Sequence, residues 1–284
     1  MAKKAAILIA ILFGLYCLFS LAYFYLFAHF QTGEQELQFR EADAKTLVVT
    51  NERGLIQIEG EERDTGETSL TKIVDPRLPW LGDLLLSQVT ATSRRDGDTW
   101  YVAADAPRNW RGSAKVDMQF FVPASMAVQA ESVEANVTVR GVSGPVQVNQ
   151  TGPSAVVLED VTGPTVASVG SGTLRASLGS FDEHISLSAR EGKLLVNLNS
   201  PHPGPMKIES KSANILMMAQ SNVNATLSYR SRGVIFNQFD QERVDPARGD
   251  GEWIVMKLGT GGVAIVIDGG DGDLTIQYFD DVED

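Results

Sequence analysis

The feature that most constrains the fold of this chain is a repeat of about twenty residues between positions 133 and 232. The stretch divides into five blocks, and most of them hold two short runs in which apolar and polar residues alternate. Equivalent positions recur from block to block: Gly152, Gly172 and Gly192 at the block ends, then Leu158, Leu178 and Leu198 six residues later. A period of two places alternating side chains on one face of a β-strand. The blocks therefore predict pairs of short strands joined at glycine corners.

Two short strands cannot bury an apolar face alone, so the blocks must pack against one another. Stacking successive blocks about 4.8 Å apart would satisfy the backbone hydrogen bonds and build a continuous column of buried side chains. We therefore expect an all-β solenoid with coils of about twenty residues. The alternative is an ordinary antiparallel meander or sandwich in which the spacing is fortuitous.

A long apolar run marks the N-terminus. Residues 5–28 contain no Asp, Glu, Lys or Arg, and about 20 apolar residues suffice to cross a bilayer as a helix. A cleaved signal peptide has a shorter apolar region and small residues before its cleavage site, whereas Leu26 and Phe27 are large. We therefore predict an uncleaved transmembrane signal anchor over residues 5–30, preceded by a cytoplasmic stub at 1–4.

Charge sets the expected orientation of this anchor. Lys3 and Lys4 precede the apolar run, and Glu34 and Glu36 follow it. The positive-inside rule then places the N-terminus in the cytoplasm and the rest of the chain outside it. The lipid bilayer is thus the first expected partner, through residues 5–30.

The chain beyond the anchor is β-like on both sides of the repeat. Residues 31–45 are rich in Glu and Gln and predict a polar spacer. We expect an ectodomain over 46–284, composed of an N-terminal β cap region at 46–132, the five repeats at 133–232, and C-terminal coils with an acidic tail at 233–284.

Two features outside the repeat predict how this ectodomain begins and ends. The sequence TLVVTNERGLIQIE at 46–59 predicts two strands joined by an Asn-Glu-Arg-Gly turn. Trp80, Trp100, Trp110 and Trp253 all lie outside the repeat. We expect these large aromatic side chains to cover the ends of the column, which would otherwise be exposed strand edges.

Four stretches resemble a bacterial family of candidate adhesin domains of unknown function, which includes LiaG-type envelope-stress proteins: LVVTNERGLIQIEG (47–60), FVPASMAVQAES (121–132), GGVAIVIDGG (261–270) and GDLTIQYF (272–279). The likeness covers nearly the whole ectodomain and consists of strand-and-turn patterns. It implies a right-handed β-solenoid anchored in a bacterial envelope, on the periplasmic or cell-surface side of the inner membrane. It supplies no catalytic residues.

Composition and motifs argue against several functions. The net charge of −12 disfavours a nucleic-acid partner, because phosphate binding needs clustered Lys and Arg. Cys17 is the only cysteine, which excludes an internal disulfide and a cysteine zinc cluster. His184 and His202 have no second His or Cys at ligand spacing, and neither HExxH nor GxSxG occurs. We therefore expect a protein that is not an enzyme and holds no cofactor or metal.

One acidic motif leaves a metal site open. Parallel β-rolls bind calcium through repeated GGxGxD motifs, and this chain has a single related stretch, DGGDGD at 268–273. Calcium sites are assembled from carboxylates and carbonyls on adjacent coils. Whether Asp268, Asp271 and Asp273 bind calcium is therefore undecided by the sequence.

The segment DPRLPWLGDLLLSQ at 75–88 interrupts the β pattern with prolines, a tryptophan and leucines. Buried, it would form a short helix or cap on the end of the solenoid. Exposed, it would form an apolar patch that contacts a protein or a membrane. The candidate partner contacts are Trp80, Leu81, Leu84 and Leu85.

The leading functional hypothesis is a non-enzymatic envelope protein that acts as a scaffold, sensor or adhesin-like binding surface for another envelope protein or a glycan. The alternative is an envelope carbohydrate-active enzyme on a β-helix scaffold, which requires a groove on one face of the solenoid with clustered Asp and Glu, or with Lys and Arg beside a calcium site. A third class is self-association into filaments through the solenoid ends.

Overall fold

The structure is a computed structural model that describes residues 14–20, 34–76, 81–109, 112–239 and 247–279. The predicted anchor at 5–30 lies mostly outside these residues, and its described part, 14–20, is helical. No helix in the described ranges combines the length and apolarity that a membrane span needs. The stub at 1–4 also lies outside them.

The described chain is mostly β, with a short helix at Gly82–Leu86. The strands, in chain order, are β1 Glu34–Ala42, β2 Thr46–Glu61, β3 Thr65–Pro76, β4 Thr90–Asp96, β5 Thr99–Asp105, β6 Arg108–Asn109, β7 Gly112–Pro123, β8 Ala127–Arg140, β9 Val146–Gln150, β10 Ala155–Glu159, β11 Thr165–Val169, β12 Thr173–Leu178, β13 Ile185–Ala189, β14 Lys193–Leu198, β15 Met206–Ser210, β16 Asn214–Gln220, β17 Ala225–Arg230, β18 Val234–Asn237, β19 Ala247–Arg248, β20 Ile254–Leu258, β21 Val263–Asp268 and β22 Leu274–Phe279.

The strands stack in parallel into two columns. Column one runs β7, the second half of β2, the second half of β8, β10, β12, β14, β16, β22 and β18. Column two runs β5, the first half of β2, the first half of β8, β9, β11, β13, β15, β21 and β17. Because β2 and β8 pass through both columns, the described strands form one continuous sheet. The parallel pairing within the repeat excludes the antiparallel meander.

Buried apolar residues form rows along the inside of both columns. In column one, one such row is Val137, Val156, Leu174, Leu194, Ile215 and Leu274. Each member lies beside the next in parallel register, and the polar residues between them on each strand point outwards. The alternation seen in the sequence therefore separates the core from the outer face of each column.

The stacking does not follow a strict twenty-residue period. Leu178 lies beside Leu198, as the blocks predict. Leu158, however, lies beside Ala176, eighteen residues on, because backbone pairing aligns Ala155 with Thr173. The prediction that Leu158 joins the Leu178 row is therefore wrong: the corners vary in length, and hydrogen bonding between the strands fixes the register.

The corner glycines serve two different needs. Gly192 has a φ of 97°, a conformation that favours glycine. Gly172 has no such conformation; instead, a Cβ at this position would collide with the carbonyl oxygen of Ser154 on the neighbouring coil. The Asn-Glu-Arg-Gly stretch is also a corner and not a hairpin turn, since β2 continues through it from column two to column one, with Gly54 at a φ of 120°.

Each coil combines one strand segment from column one with one from column two. At the two ends of the stack, the coils do not follow chain order. From one end to the other the order is 99–123, 46–61, 127–140, 146–159, 165–178, 185–198, 206–220, 263–279 and 225–237. The first and last coils of the sequence thus each lie second from an end. The prediction that the fifth block stacks on the fourth is confirmed for β16, which pairs with β14, and is wrong for β17, which pairs with β21 and not with β15.

Antiparallel strands close both ends of the stack. At one end β3 and β1 extend column one beyond β7, and β4 extends column two beyond β5. At the other end β20 pairs with β17, and β19 with β18. Residues 34–42, which the sequence assigns to a spacer, are therefore an edge strand of the domain.

The tryptophans divide in their roles. Trp100 is fully buried near the first end, packs edge-on against Phe120 at 5.8 Å, and donates from Nε1 to Ser93 Oγ at 2.8 Å. It covers the interior there, as the sequence predicts. Trp253 is 47% exposed and does not cover the column. Trp80 and Trp110 lie outside the described residues.

Candidate binding groove

An open groove of about 660 Å³ lies where β2 bends from one column to the other. The surrounding strands are β3, β7 and β8, with β6 at the rim. Its lining combines charges of both signs with apolar and amide groups: Arg53, Gly54, Leu55, Ile73, Asp75, Arg108, Ser113, Ala114, Lys115, Asp117, Glu134 and Asn136. The groove belongs to the first three coils of the stack, so it exists only because those coils are stacked out of chain order.

Arg53 is the fixed centre of this groove. Its side chain is only 19% exposed. Nε donates to Glu134 Oε2 at 2.8 Å, Nη1 donates to the carbonyl oxygen of Ala106 at 2.8 Å, and Nη2 lies 3.3 Å from Glu52 Oε1. The guanidinium holds the pKa of Glu134 below its usual range, first through its hydrogen bond and then through its charge. The Glu134 carboxylate therefore stays ionised at neutral pH, and its contact with the guanidinium orients both side chains.

The rim of the groove is more exposed. Lys115 Nζ lies 3.2 Å from Asp117 Oδ2, and Arg108 lies 4.0 Å from Glu134 at its exposed side. The half-buried side chains of Leu55 and Ile73 add apolar surface. Fixed donors, fixed acceptors and an apolar strip together suit a polar ligand rich in hydroxyl or amide groups.

A second cleft, of about 390 Å³, lies on the column-two side of the same corner. Glu52 and Asp105 line it, and their carboxyl groups are hydrogen bonded. Burial is the main cause that raises the pKa of Glu52, and the hydrogen bond with Asp105 adds to it, while the charge of Arg53 opposes the shift. No group of three or more metal-binding side chains occurs among the described residues.

The DGGDGD stretch forms a structural corner of the inserted coil 263–279. Asp268 Oδ2 lies 2.5 Å from Arg230 Nη2, and Asp271 pairs with Arg232 at 3.4 Å. Asp273 Oδ1 accepts from the backbone N–H of Val234 at 2.9 Å. Each carboxylate therefore contacts the 225–237 coil through a separate partner. We call this set of contacts the clasp.

The remaining sequence candidates are scattered. His184 and His202 are exposed in turns between strands. In the 75–88 segment, Leu85 is fully buried in the core, Leu81 is half-buried and Leu84 is 43% exposed. Trp80 lies outside the described residues, and partner contact through this segment stays a prediction.

The groove could not be predicted from the sequence, because four separate stretches of the chain contribute its residues. Glu52 and Arg53 were visible in the Asn-Glu-Arg-Gly motif, but as part of a turn. Their partners Asp105 and Glu134 are 53 and 81 residues away from Glu52 and Arg53, respectively. Only the out-of-order stacking brings them together, and no local pattern reports it.

Comparisons with known proteins give a faint likeness in structure alone. No family model matches the chain, and no curated protein matches it. Similar solved structures include a candidate cell-adhesion protein from Clostridium sporogenes (10% identity, TM-score 0.36, covering 88% of this chain and 100% of that one). Others are a candidate adhesin from Bacteroides fragilis (11%, 0.36, 88% and 98%) and a candidate lipid-binding protein from Parabacteroides distasonis (9%, 0.26, 85% and 96%). With such TM-scores, these likenesses assign neither family nor ligand, and the resemblance to LiaG-type proteins stays a prediction.

Proposed function

We propose that this chain is a non-enzymatic, envelope-anchored right-handed β-solenoid that binds another envelope component, as a scaffold, sensor or adhesin-like surface. The observation that carries the proposal is the open groove around Arg53, in which ion pairs fix donors and acceptors beside an apolar strip. Such a lining recognises a glycan or a polar protein segment by hydrogen bonding and needs no reactive group.

The anchor and the compartment rest on the sequence. The uncharged run 5–28 is long enough for a bilayer span, and under the positive-inside rule Lys3 and Lys4 favour a start in the cytoplasm. The groove would then face the periplasm or the cell surface of a bacterium, where envelope glycans and proteins are available to it.

Site-specific photocrosslinking in the native envelope tests this function. A photoreactive amino acid at Ser113, inside the groove, should give a discrete adduct with one envelope component. The same probe at Val166, exposed on the outer face of column two, is the matched control and should not. Equal adducts at both positions, or none at Ser113, would contradict binding through the groove.

The Glu52–Asp105 pair favours one second candidate, the envelope carbohydrate-active enzyme. A glutamic acid with a raised pKa suits general acid catalysis. However, glycosidases hold their two carboxyls roughly 5–10 Å apart to admit substrate or water, whereas Glu52 and Asp105 are hydrogen bonded to each other. Glycan cleavage by the purified full chain that is lost in Glu52→Gln would establish the enzyme and displace the binding proposal.

A further inference from the structure

We propose that the helix Gly82–Leu86, with the residue Leu81 before it, rests its exposed leucine surface on the bilayer that holds the anchor. The proposal depends on the membrane anchor of the proposed function. It selects lipid as the partner of a segment for which the sequence leaves protein and membrane open.

The first observation is where the chain enters the domain. The predicted anchor ends at residue 30, and β1 begins at Glu34. Four residue steps span at most about 14 Å. The first residue of β1 must therefore lie within that distance of the point at which the chain leaves the bilayer, so one particular part of the domain is held against the membrane.

The second observation identifies that part. β1 pairs antiparallel with β3, with Glu34 beside Ile73. Glu34 is the residue of β1 nearest to the anchor along the chain, and β3 passes beside it and continues three residues past Ile73 to Pro76, about 10 Å further. The helix follows β3 in sequence and packs against β3 and β7 near this point, with Gly82 close to Pro76. The helix thus lies at the end of the domain that faces the anchor.

The third observation is the surface that the helix presents. Leu85 is buried and fixes the helix to the core, whereas Leu84 is 43% exposed and Leu81 is half-buried. The backbone at this end is held, since Ser87 Oγ donates to the carbonyl oxygen of Leu84 at 2.8 Å. An apolar side chain on a fixed support, within reach of the headgroups, loses water when it enters the interface.

The net charge of −12 points to zwitterionic rather than anionic lipid. Two strongly exposed valines, Val166 on β11 and Val255 on the edge strand β20, lie further along the stack and have no such position relative to the anchor. They provide matched reference sites of similar character.

Fluorescence quenching in phosphatidylcholine nanodiscs tests the proposal on the full chain. Cys17→Ala removes the native thiol, and an environment-sensitive fluorophore is attached at Leu84→Cys, Val255→Cys or Leu15→Cys, one site at a time. When the phosphatidylcholine carries bromine atoms near its headgroup, the fluorescence of the Leu84→Cys label should be quenched. The emission of this label should also shift to the blue, whereas the Val255→Cys label should emit as it does in water.

The three sites separate the failures. If the Leu15→Cys label escapes quenching by bromines deep in the acyl chains, the anchor itself is wrong and the proposed function falls with it. If Leu15→Cys is quenched and Leu84→Cys is as water-exposed as Val255→Cys, the lipid contact alone is overturned. A blue shift at Leu84→Cys that depends on protein concentration and not on bromine would identify a second copy as the partner and also overturn it.

Discussion

At the scale of single residues, Gly172 shows how tightly the coils approach one another. A Cβ there would meet the carbonyl oxygen of Ser154, which belongs to the backbone and cannot swing aside. We expect Gly172→Ala to destabilise the fold by about 1–3 kcal/mol, the usual cost of overpacking. Gly179→Ala is the matched control: nothing lies within 4 Å of its Cβ position, so it should be neutral or slightly stabilising. Urea unfolding of the detergent-solubilised chain measures both, and equal midpoints would contradict the close approach.

The single residue Glu52 gives the stability of the fold a pH dependence of defined sign. Its pKa is raised in the folded protein, mainly by burial and then by Asp105, so the folded state holds the proton more tightly than the unfolded state. Stability should therefore fall as pH rises from the ordinary glutamate pKa through the raised one, and change no further above it. Glu134 and Glu67 have lowered pKa values and the opposite effect: the stability that they contribute is lost as the pH falls through those lowered values.

Comparing Glu52→Gln with the native chain isolates this contribution. The native melting temperature should drop over that pH window relative to the variant, because the amide keeps a hydrogen bond to Asp105 without titrating. A constant difference between the two melting temperatures across the window would show that Glu52 titrates alike in the folded and unfolded states.

At the scale of elements, the clasp holds coil 263–279 in place. Asp268 accepts from Arg230 and from the backbone N–H of Gly270, and the hydrogen bond from Arg230 is the first cause that lowers its pKa. We expect Asp268→Asn to cost about 1 kcal/mol, since the pair is partly exposed. Amide exchange in β21 and β22 should then be about fivefold faster.

The control for the clasp is Asp117→Asn, which removes another partly exposed ion pair, with Lys115, at the opposite end of the stack. It should leave exchange in β21 and β22 unchanged. Equal effects of the two substitutions would mean that Asp268 contributes general charge and not a local contact.

Elements also mark the limit of what sequence could predict. The strands of the repeat were visible because alternation is local: each apolar row records which face of a strand is buried. The stacking partners of these strands could not be predicted, because the inward-facing Ile265 and Ile267 alternate with outward-facing residues as in the other strands of the two columns. They fit beside β15 and β17 equally well. The candidate groove could not be predicted for the same reason. Arg53 lies in a recognisable turn motif, but its pairing with Glu134 follows only from the stacking order of the coils.

At the scale of the whole molecule, the coils that stack out of chain order make the stability of each end of the stack depend on segments that are distant in sequence. In a solenoid stacked in chain order, each repeat contacts only its sequence neighbours, and a terminal repeat can be lost without disturbing the rest. Here the last coil of the sequence, 263–279, lies between coils 206–220 and 225–237, which precede it in the chain. The first coil, 46–61, pairs with coil 99–123, which follows it in the chain. The stack is therefore complete only when the entire chain is present.

Truncation tests this interdependence. A chain that stops after Leu258 lacks β21 and β22, so the inner row of β15 and that of β17, including Ile208 and Leu227, lose the strand that lies between them. We expect coil 225–237 to lose amide protection although all of its own residues remain, and protection in 206–220 to weaken as well. A chain that stops after Phe279 is the control and should retain the native exchange pattern. If 225–237 stayed protected in the shorter chain, it would have to stack directly on 206–220, and the inserted coil would be an addition to the fold and not a part of its framework.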